Sequence, residues 1–213
     1  MKFSLIPVLL LGIGTLSVTD PATAEGQVCR FLLDGCDAQR IPQNQLPNLV
    51  YSPWTKFCLK GKEVNAKQVC FTGRDGRGES GKPVVAAVLI EPENDPKKVL
   101  RVTLPLGMSI QPGTRVIVDN GQPMTGRYVI CFKNGCMADY EASGDLIRSL
   151  QSGRGLTIQG INGTGQPISL SLPLNDFGRA YNGPPTDPKV FEVQQKRLQE
   201  DLQRRAKAAE GGR

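Results

Sequence analysis

This 213-residue sequence contains six cysteines, and their type and spacing make them the first candidates for a chemical role. They form three closely spaced couples, which are Cys29 with Cys36, Cys58 with Cys70, and Cys131 with Cys136. Structural zinc sites combine two couples with short spacings, and only the last couple has a suitable spacing. Thiol redox catalysis uses a Cys-x-x-Cys sequence at the start of a helix, which no couple matches. We therefore expect the cysteines to form disulfides.

The pairing of the cysteines is not determined by their number, since six thiols allow about 15 pairings. The predicted strands favour sequential pairing. Cys58 and Cys70 fall on successive predicted strands, and Cys131 and Cys136 flank a predicted turn. The first couple would close a small N-terminal loop. Bridges of such short loops stabilise a fold by roughly 2–3 kcal/mol each in the chain-entropy model, so we expect them to brace the structure and catalyse nothing.

Other catalytic groups are scarce in the sequence. It contains no histidine, which excludes histidine-dependent nucleophilic catalysis and histidine metal ligands. Carboxylates are scattered through predicted turns without a clear pair, and glycine-rich residues 73–78 lack the Lys-Ser/Thr ending of a phosphate-binding loop. The sequence predicts that the protein is not an enzyme and binds no cofactor or metal. A carboxylate-based hydrolase of the cell envelope is the alternative.

An export signal is predicted at residues 1–24. Lys2 precedes an apolar run over residues 3–18, and residues 22–24 read Ala-Thr-Ala, the small-residue pattern that signal peptidase accepts. The apolar run is shorter than the ~20 residues that span a bilayer. We expect cleavage after Ala24, no transmembrane segment after cleavage, and a location in the periplasm, at the outer membrane or outside the cell. Disulfides are common in these oxidising compartments.

Short alternating strands separated by glycine and asparagine turns dominate residues 54–180. Asn120 and Gly121 form one such hairpin signal. One internal helix is predicted at residues 143–150, where Ser143 can cap the first turn. The predicted fold class is all-β, as an antiparallel immunoglobulin-like β-sandwich with one short internal helix and a C-terminal helical tail. A closed barrel is the alternative architecture.

The sequence is predicted to divide into four parts. These are a signal peptide (1–24), an N-terminal extension with a cysteine loop (25–49), the β-sandwich domain (50–183) and a basic helical tail (184–213). The tail lacks glycine and proline between residues 190 and 209, and its few apolar residues form a narrow helical stripe. The tail is therefore predicted to be a solvated or frayed helix lightly docked on the body, with contact to a partner or an anionic surface as the more specific alternative.

The formal net charge of +6 is mild and spread along the chain. Such a charge can simply keep a protein soluble, or it can favour contact with anionic lipids, cell-wall polymers or host surfaces. Nucleic acid is not expected as a partner, because the compartment is wrong and aromatic residues do not interleave with basic ones. We predict contact surfaces at the exposed loops 73–81 and 91–96 and on the tail. The basic candidates are Arg74, Arg77, Lys196, Arg197, Arg204 and Arg205.

The central region combines an aromatic–cysteine spacing, a proline-containing segment and two cysteine couples. These features are Trp54 with Cys58 and Cys70, the Val-Thr-Leu-Pro-Leu-Gly sequence at residues 102–107, and Cys131 with Cys136. Together they resemble the invasion-associated locus B family of exported alphaproteobacterial proteins, over roughly residues 50–180. The resemblance implies a compact β-sandwich in the periplasm or at the cell surface, a link with host-cell invasion in pathogenic members, and no established catalytic residues.

The combined prediction is an exported, disulfide-stabilised, non-enzymatic binding protein of the bacterial cell envelope. Its partner would belong to the envelope or to a host surface. An envelope stress or structural protein is a further alternative. The Cys29 and Cys36 segment and the tail lie outside the region of resemblance.

Overall fold

The computed structural model describes residues 49–61, 67–78 and 80–211, with side chains through residue 208. The predicted signal peptide, nearly all of the N-terminal extension and the predicted bridge between Cys29 and Cys36 lie outside the described residues. Within the described ranges, no helix combines the length and apolar character needed to cross a bilayer.

Among the described residues, ten strands form one continuous antiparallel sheet, accompanied by three helices. The strands are β1 (Val50–Tyr51), β2 (Thr55–Lys60), β3 (Gln68–Arg77), β4 (Pro83–Pro92), β5 (Val99–Leu104), β6 (Thr114–Val118), β7 (Met124–Phe132), β8 (Gly135–Glu141), β9 (Gly155–Ile161) and β10 (Pro167–Pro173). The helices are α1 (Gly144–Ser152), α2 (Phe177–Asn182) and α3 (Pro188–Gly211). The strand order is β1-β3-β4-β5-β8-β7-β6-β9-β10, and β2 also pairs with β3.

Alternation of apolar and polar residues places one face of the sheet in the core. In β5, Leu100, Val102 and Leu104 are buried while the residues between them are partly exposed. Successive side chains of a strand point to opposite faces, so this pattern requires one covered face. Leu156 and Ile158 of β9 belong to the same core cluster as β5. The sheet therefore curves around its own apolar face.

The two ends of the sheet approach each other. The Tyr51 hydroxyl donates to the Ser171 carbonyl at 2.8 Å, and the indole N–H of Trp54 donates to the Pro173 carbonyl at 3.0 Å. These contacts join the β1 and β2 end to β10, so the sheet is nearly closed and barrel-like. The all-β prediction is confirmed. The immunoglobulin-like sandwich is not confirmed, because strand pairing continues from β8 through β7 to β6 without dividing into two sheets.

Two disulfides bind neighbouring strands at directly opposite positions. Cys58 and Cys70 join β2 to β3, and Cys131 and Cys136 join β7 to β8. Both bridges confirm the sequential pairing predicted for these couples. Each bridge closes a short loop, since the sequence separations are 12 and 5 residues.

Helix α1 confirms the predicted internal helix. The Ser143 hydroxyl accepts the Leu146 N–H at 3.2 Å and so caps the first turn. Leu146, Ile147 and Leu150 bury one face of the helix against the core. The short helix α2, which was not predicted, contributes Phe177 to the same core.

The segment before α3 covers the outer edge of β2. The Thr186 N–H donates to the Lys56 carbonyl at 2.7 Å, and the Lys56 N–H donates to the Thr186 hydroxyl at 3.2 Å. The Lys56 ammonium also donates to the carbonyls of Tyr181 and Gly183, at 2.8 and 3.2 Å, where α2 ends. A cation at a helix C-terminus satisfies carbonyls that lack helical partners. Thr186 therefore occupies the outer edge of β2 at Lys56.

The tail is helical, as predicted, and its apolar stripe docks on the body of the protein. Leu198 and Leu202 are buried in a small cluster with Val50. The Phe191 ring lies edge-on to Phe57, with centroids 4.8 Å apart. Because the apolar stripe is used in this docking, the outward face of α3 is largely polar and basic.

Candidate partner-binding surface

The prediction of an exposed loop at residues 73–81 is wrong for residues 73–77, because these residues lie in β3 and pair with β4. A Cβ on Gly73 would lie 3.0 Å from the Val88 side chain, so glycine here permits close strand packing and does not mark a loop. Arg77 remains partly exposed and forms an ion pair with Asp75 at 2.6 Å. Only the residues after Arg77 connect β3 to β4.

Arg74 is partly buried, and its guanidinium is bound by groups of the fold. Its guanidinium donates to the Ser52 carbonyl at 2.6 Å and to the Pro173 carbonyl at 2.5 Å. It also lies over the rings of Tyr51 and Trp54, at 5.6 and 5.8 Å from their centroids. Burial lowers the pKa of this guanidinium from its ordinary value. Arg74 therefore ties β3 to the end of β10, a role that the predicted contact function overlooked.

The charged residues 91–96 line a cleft of about 570 Å³. The Glu91 carboxylate accepts a hydrogen bond from the Lys98 ammonium at 2.8 Å, and this bond raises the pKa of Lys98. The carboxylates of Glu93 and Asp95 accept backbone N–H groups at 3.0 and 2.8 Å. Glu93 thus links this turn to Gln68 of β3, and Asp95 stabilises the turn itself through the Lys97 N–H. No cluster of candidate metal ligands occurs in the part of the chain that the structure describes.

The basic residues of the tail divide into free and paired side chains. Arg204 and Arg205 both contact the Asp201 carboxylate, at 2.7 and 3.2 Å. The hydrogen bond from Arg204 lowers the pKa of Asp201. Lys196 and Arg197 are exposed and form no ion pair with the described residues. Among the predicted contact residues of the tail, Lys196 and Arg197 are therefore the two without an ion pair in the described chain.

The hairpin of β7 and β8 presents a surface that the sequence reasoning missed. β6 pairs only with residues 124–126 of β7, so the outer edge of residues 127–132 has no strand neighbour among the described residues. The disulfide between Cys131 and Cys136 fixes the tip of this hairpin next to a two-residue turn. The edge is therefore both open and rigid.

Apolar side chains are exposed along this open edge. Val129, Ile130 and Phe132 are 54%, 44% and 53% exposed. The pairing register shifts between Tyr128 and Ile130, so Val129 forms a bulge without a partner in β8. Apolar residues gathered on a braced hairpin are typical of a protein-binding surface. The consecutive Val129 and Ile130, followed by Phe132 before a turn, were the signal in the sequence.

Positive charges flank the apolar part of the edge. Arg127 lies at one end and Lys133 at the other, and both are exposed. Arg127 is opposite Asp139 in the strand register. However, the Asp139 carboxylate already accepts hydrogen bonds from Nε and Nη2 of Arg101, each at 2.7 Å. The hydrogen bonds that Arg101 donates to the Asp139 carboxylate raise the pKa of Arg101. Neither Arg127 nor Lys133 forms an ion pair within the described part of the chain.

A cleft of about 760 Å³ runs beside the same edge, between residues 110–113 and residues 125–128. Gly113 has a φ of +72°, and a Cβ there would lie 2.4 Å from the Gly126 carbonyl oxygen. Only glycine allows this segment to approach β7 so closely. The Tyr128 hydroxyl is buried behind the cleft and has no hydrogen-bond partner among the described residues.

Replacing Tyr128 by phenylalanine is expected to raise the free energy of unfolding by about 1 kcal/mol at neutral pH. The substitution removes a buried hydroxyl that has no partner and keeps the ring. Tyr140→Phe is the matched control, because its hydroxyl lies 2.5 Å from the Thr114 hydroxyl. This second variant should lose about 1 kcal/mol. Urea unfolding followed by circular dichroism measures both changes, and a destabilised Tyr128→Phe would contradict the interpretation.

The same pair of tyrosines predicts an alkaline loss of stability. Burial raises the pKa of both hydroxyls to about 12. In the unfolded chain they ionise near pH 10, so the unfolded state is favoured as pH rises from about 10 to about 12. Each tyrosine contributes a slope of about 1.4 kcal/mol per pH unit over this window. Each phenylalanine variant should therefore lose stability less steeply than the native chain across the same pH range.

The fold and this surface define a class: a small β protein with a nearly closed antiparallel sheet, two hairpin disulfides and an exposed apolar edge. Residues 54–185 match the family model described as Invasion associated locus B (IalB) protein. The chain therefore belongs to this family, and the resemblance inferred from the sequence is confirmed.

A solved structure shares the fold. The crystal structure of invasion associated protein b from Bartonella henselae matches with a TM-score of 0.54 and 22% sequence identity. The match covers 69% of this chain and 96% of the Bartonella chain. A comparison with curated proteins gave no match.

Proposed function

We propose that this protein is an exported, disulfide-stabilised binding protein of the bacterial cell envelope that acts through contact with a partner and catalyses no reaction. The observation that carries the proposal is the exposed apolar edge of the β7–β8 hairpin, formed by Val129, Ile130 and Phe132. A soluble protein seldom exposes several neighbouring apolar side chains without a partner for them.

The disulfides support an exported location. Bridges such as Cys58–Cys70 and Cys131–Cys136 persist in oxidising compartments and are rare in the cytosol. The predicted signal peptide at residues 1–24 agrees with this compartment. The words "invasion associated" in the family description favour a host surface as the source of the partner.

The carboxylates support a binding role over hydrolysis. Glu91, Glu93, Asp95 and Asp139 each accept hydrogen bonds from nearby groups of the protein. A pair of carboxylates that acts on a bond must instead face a shared substrate. The basic face around Lys196 and Arg197 is proposed as an accessory contact for anionic surfaces.

The test uses a photo-reactive phenylalanine analogue placed at residue 132 in cells that export the protein. Irradiation of intact cells should give a discrete cross-linked species, since Phe132 is part of the proposed surface. The control carries the analogue at Gln122, which is exposed in the turn before β7. Absence of a cross-link at residue 132, or the same species from both positions, would refute the proposal. Fractionation of the same cells tests the location, and a reduced, cytosolic protein would refute export.

A further inference from the structure

We infer that the outer edge of β7 at residues 127–132 binds an extended segment of a partner protein as an added strand. This segment carries apolar side chains at alternate positions and acidic side chains at its two ends. The inference rests on the proposed function and names the chemistry of the partner.

The backbone of β7 provides the first part of the argument. Residues 127–132 pair with β8 on one side, and no described strand pairs with them on the other. The β2 edge, in contrast, is occupied at Lys56 by Thr186. An open edge offers N–H and C=O groups that an incoming strand can pair with directly. The disulfide at Cys131 keeps this edge ordered before binding, which lowers the entropy cost of binding.

The side chains around the edge provide the second part. An added strand points successive side chains to opposite faces, so alternate apolar residues would meet the exposed Ile130 and Phe132 on one face. Ile110, also exposed, lies on the far wall of the adjoining cleft. The cleft therefore has room for side chains on one side of an extended segment.

The positive charges at the two ends of the edge indicate which kind of partner would bind. Arg127 and Lys133 stand at opposite ends of the apolar part, while the nearby Asp139 is occupied by Arg101. A partner strand with acidic residues at both ends would complement these cations. A second copy of this chain, paired antiparallel about a two-fold axis, would bring Arg127 of one copy towards Lys133 of the other. Like charges would then face each other, so the geometry favours an acidic partner over self-association.

The experiment uses a library of random linear peptides displayed on phage, selected against the oxidised full chain. Selection should enrich peptides with alternating apolar residues and acidic ends. The double variant R127E/K133E should enrich peptides with basic ends instead. A synthetic peptide enriched on the native chain should bind this variant roughly tenfold more weakly, as two lost surface ion pairs imply.

The matched control is K82E/R154E, which changes the net charge equally at two exposed residues in the β3–β4 and α1–β9 connections. It should bind the synthetic peptide as the native chain does. Hydrogen exchange should show protection of the amides of residues 127–132 when the peptide is bound. Failure to enrich any peptide, the same enrichment on R127E/K133E, equal weakening by the control, or protection elsewhere would each overturn the inference. Self-association that is lost on Phe132→Ser would also overturn it, in favour of a second copy as the occupant.

These outcomes separate the inference from the proposed function. A cross-link from residue 132 in cells, with no enriched peptide, would leave the binding function standing and remove the added strand. An enriched, edge-bound peptide with no cross-link in cells would support the recognition mode and remove the proposed role in the envelope.

Discussion

Replacing Trp54 by alanine is expected to destabilise the protein by about 3–5 kcal/mol, in the range for large aromatic residues deleted from a core. Trp54 is only 7% exposed and lies edge-on to Phe177, with centroids 4.9 Å apart. Its indole N–H donates to the Pro173 carbonyl, and the Arg74 guanidinium lies over its ring. The substitution therefore opens a cavity at the position where the two ends of the sheet meet.

Trp54→Phe separates packing from hydrogen bonding at this position. Phenylalanine keeps an aromatic ring next to Phe177 but leaves the Pro173 carbonyl without the indole donor. We expect a loss of about 1–2 kcal/mol for this variant. Urea unfolding should be followed by far-ultraviolet circular dichroism, because the chain has a single tryptophan. An alanine variant that loses less than the phenylalanine variant would contradict the role of Trp54 in closing the sheet.

Removing both described disulfides is expected to cost about 5 kcal/mol in total. The chain-entropy relation assigns about 3 kcal/mol to the 12-residue separation of Cys58 and Cys70 and about 2 kcal/mol to the 5-residue separation of Cys131 and Cys136. Such a loss is a large share of the stability of a typical domain, so the variant without either bridge should be largely unfolded at 37 °C.

Paired cysteine-to-serine variants test each bridge separately, by urea unfolding without reductant. The variant lacking Cys58 and Cys70 should be the less stable of the two. The variant lacking Cys131 and Cys136 should lose less stability but more peptide affinity, because that bridge orders the open edge of β7. The reverse order of stabilities would show that loop length does not govern the contribution of these bridges.

Local patterns made several features predictable. The spacing of the cysteines around predicted strands and turns was enough to pair Cys58 with Cys70 and Cys131 with Cys136. Ser143 and the apolar residues after it identified α1. These predictions succeeded because hairpin pairing and helix capping depend on residues that are close in sequence.

Long-range contacts decided what the sequence did not reveal. Residues 73–77 have the composition of a loop, yet they form a strand because β4 packs against their small glycines. Arg74 was predicted only as a contact residue, yet its guanidinium also binds the carbonyls of Ser52 and Pro173. Both outcomes depend on segments that are brought together only by the folded sheet.

The sequence alone determined the family, the all-β class, the two hairpin bridges and the helical character of the tail. Each of these follows from local periodicity, turn residues or motif spacing. Only the tertiary structure decided that the sheet nearly closes on itself and that the pairing between β6 and β7 ends at Gly126. The open edge at residues 127–132 results from that departure. Whether a strand has a neighbour is a property of the whole sheet, and no local pattern records it.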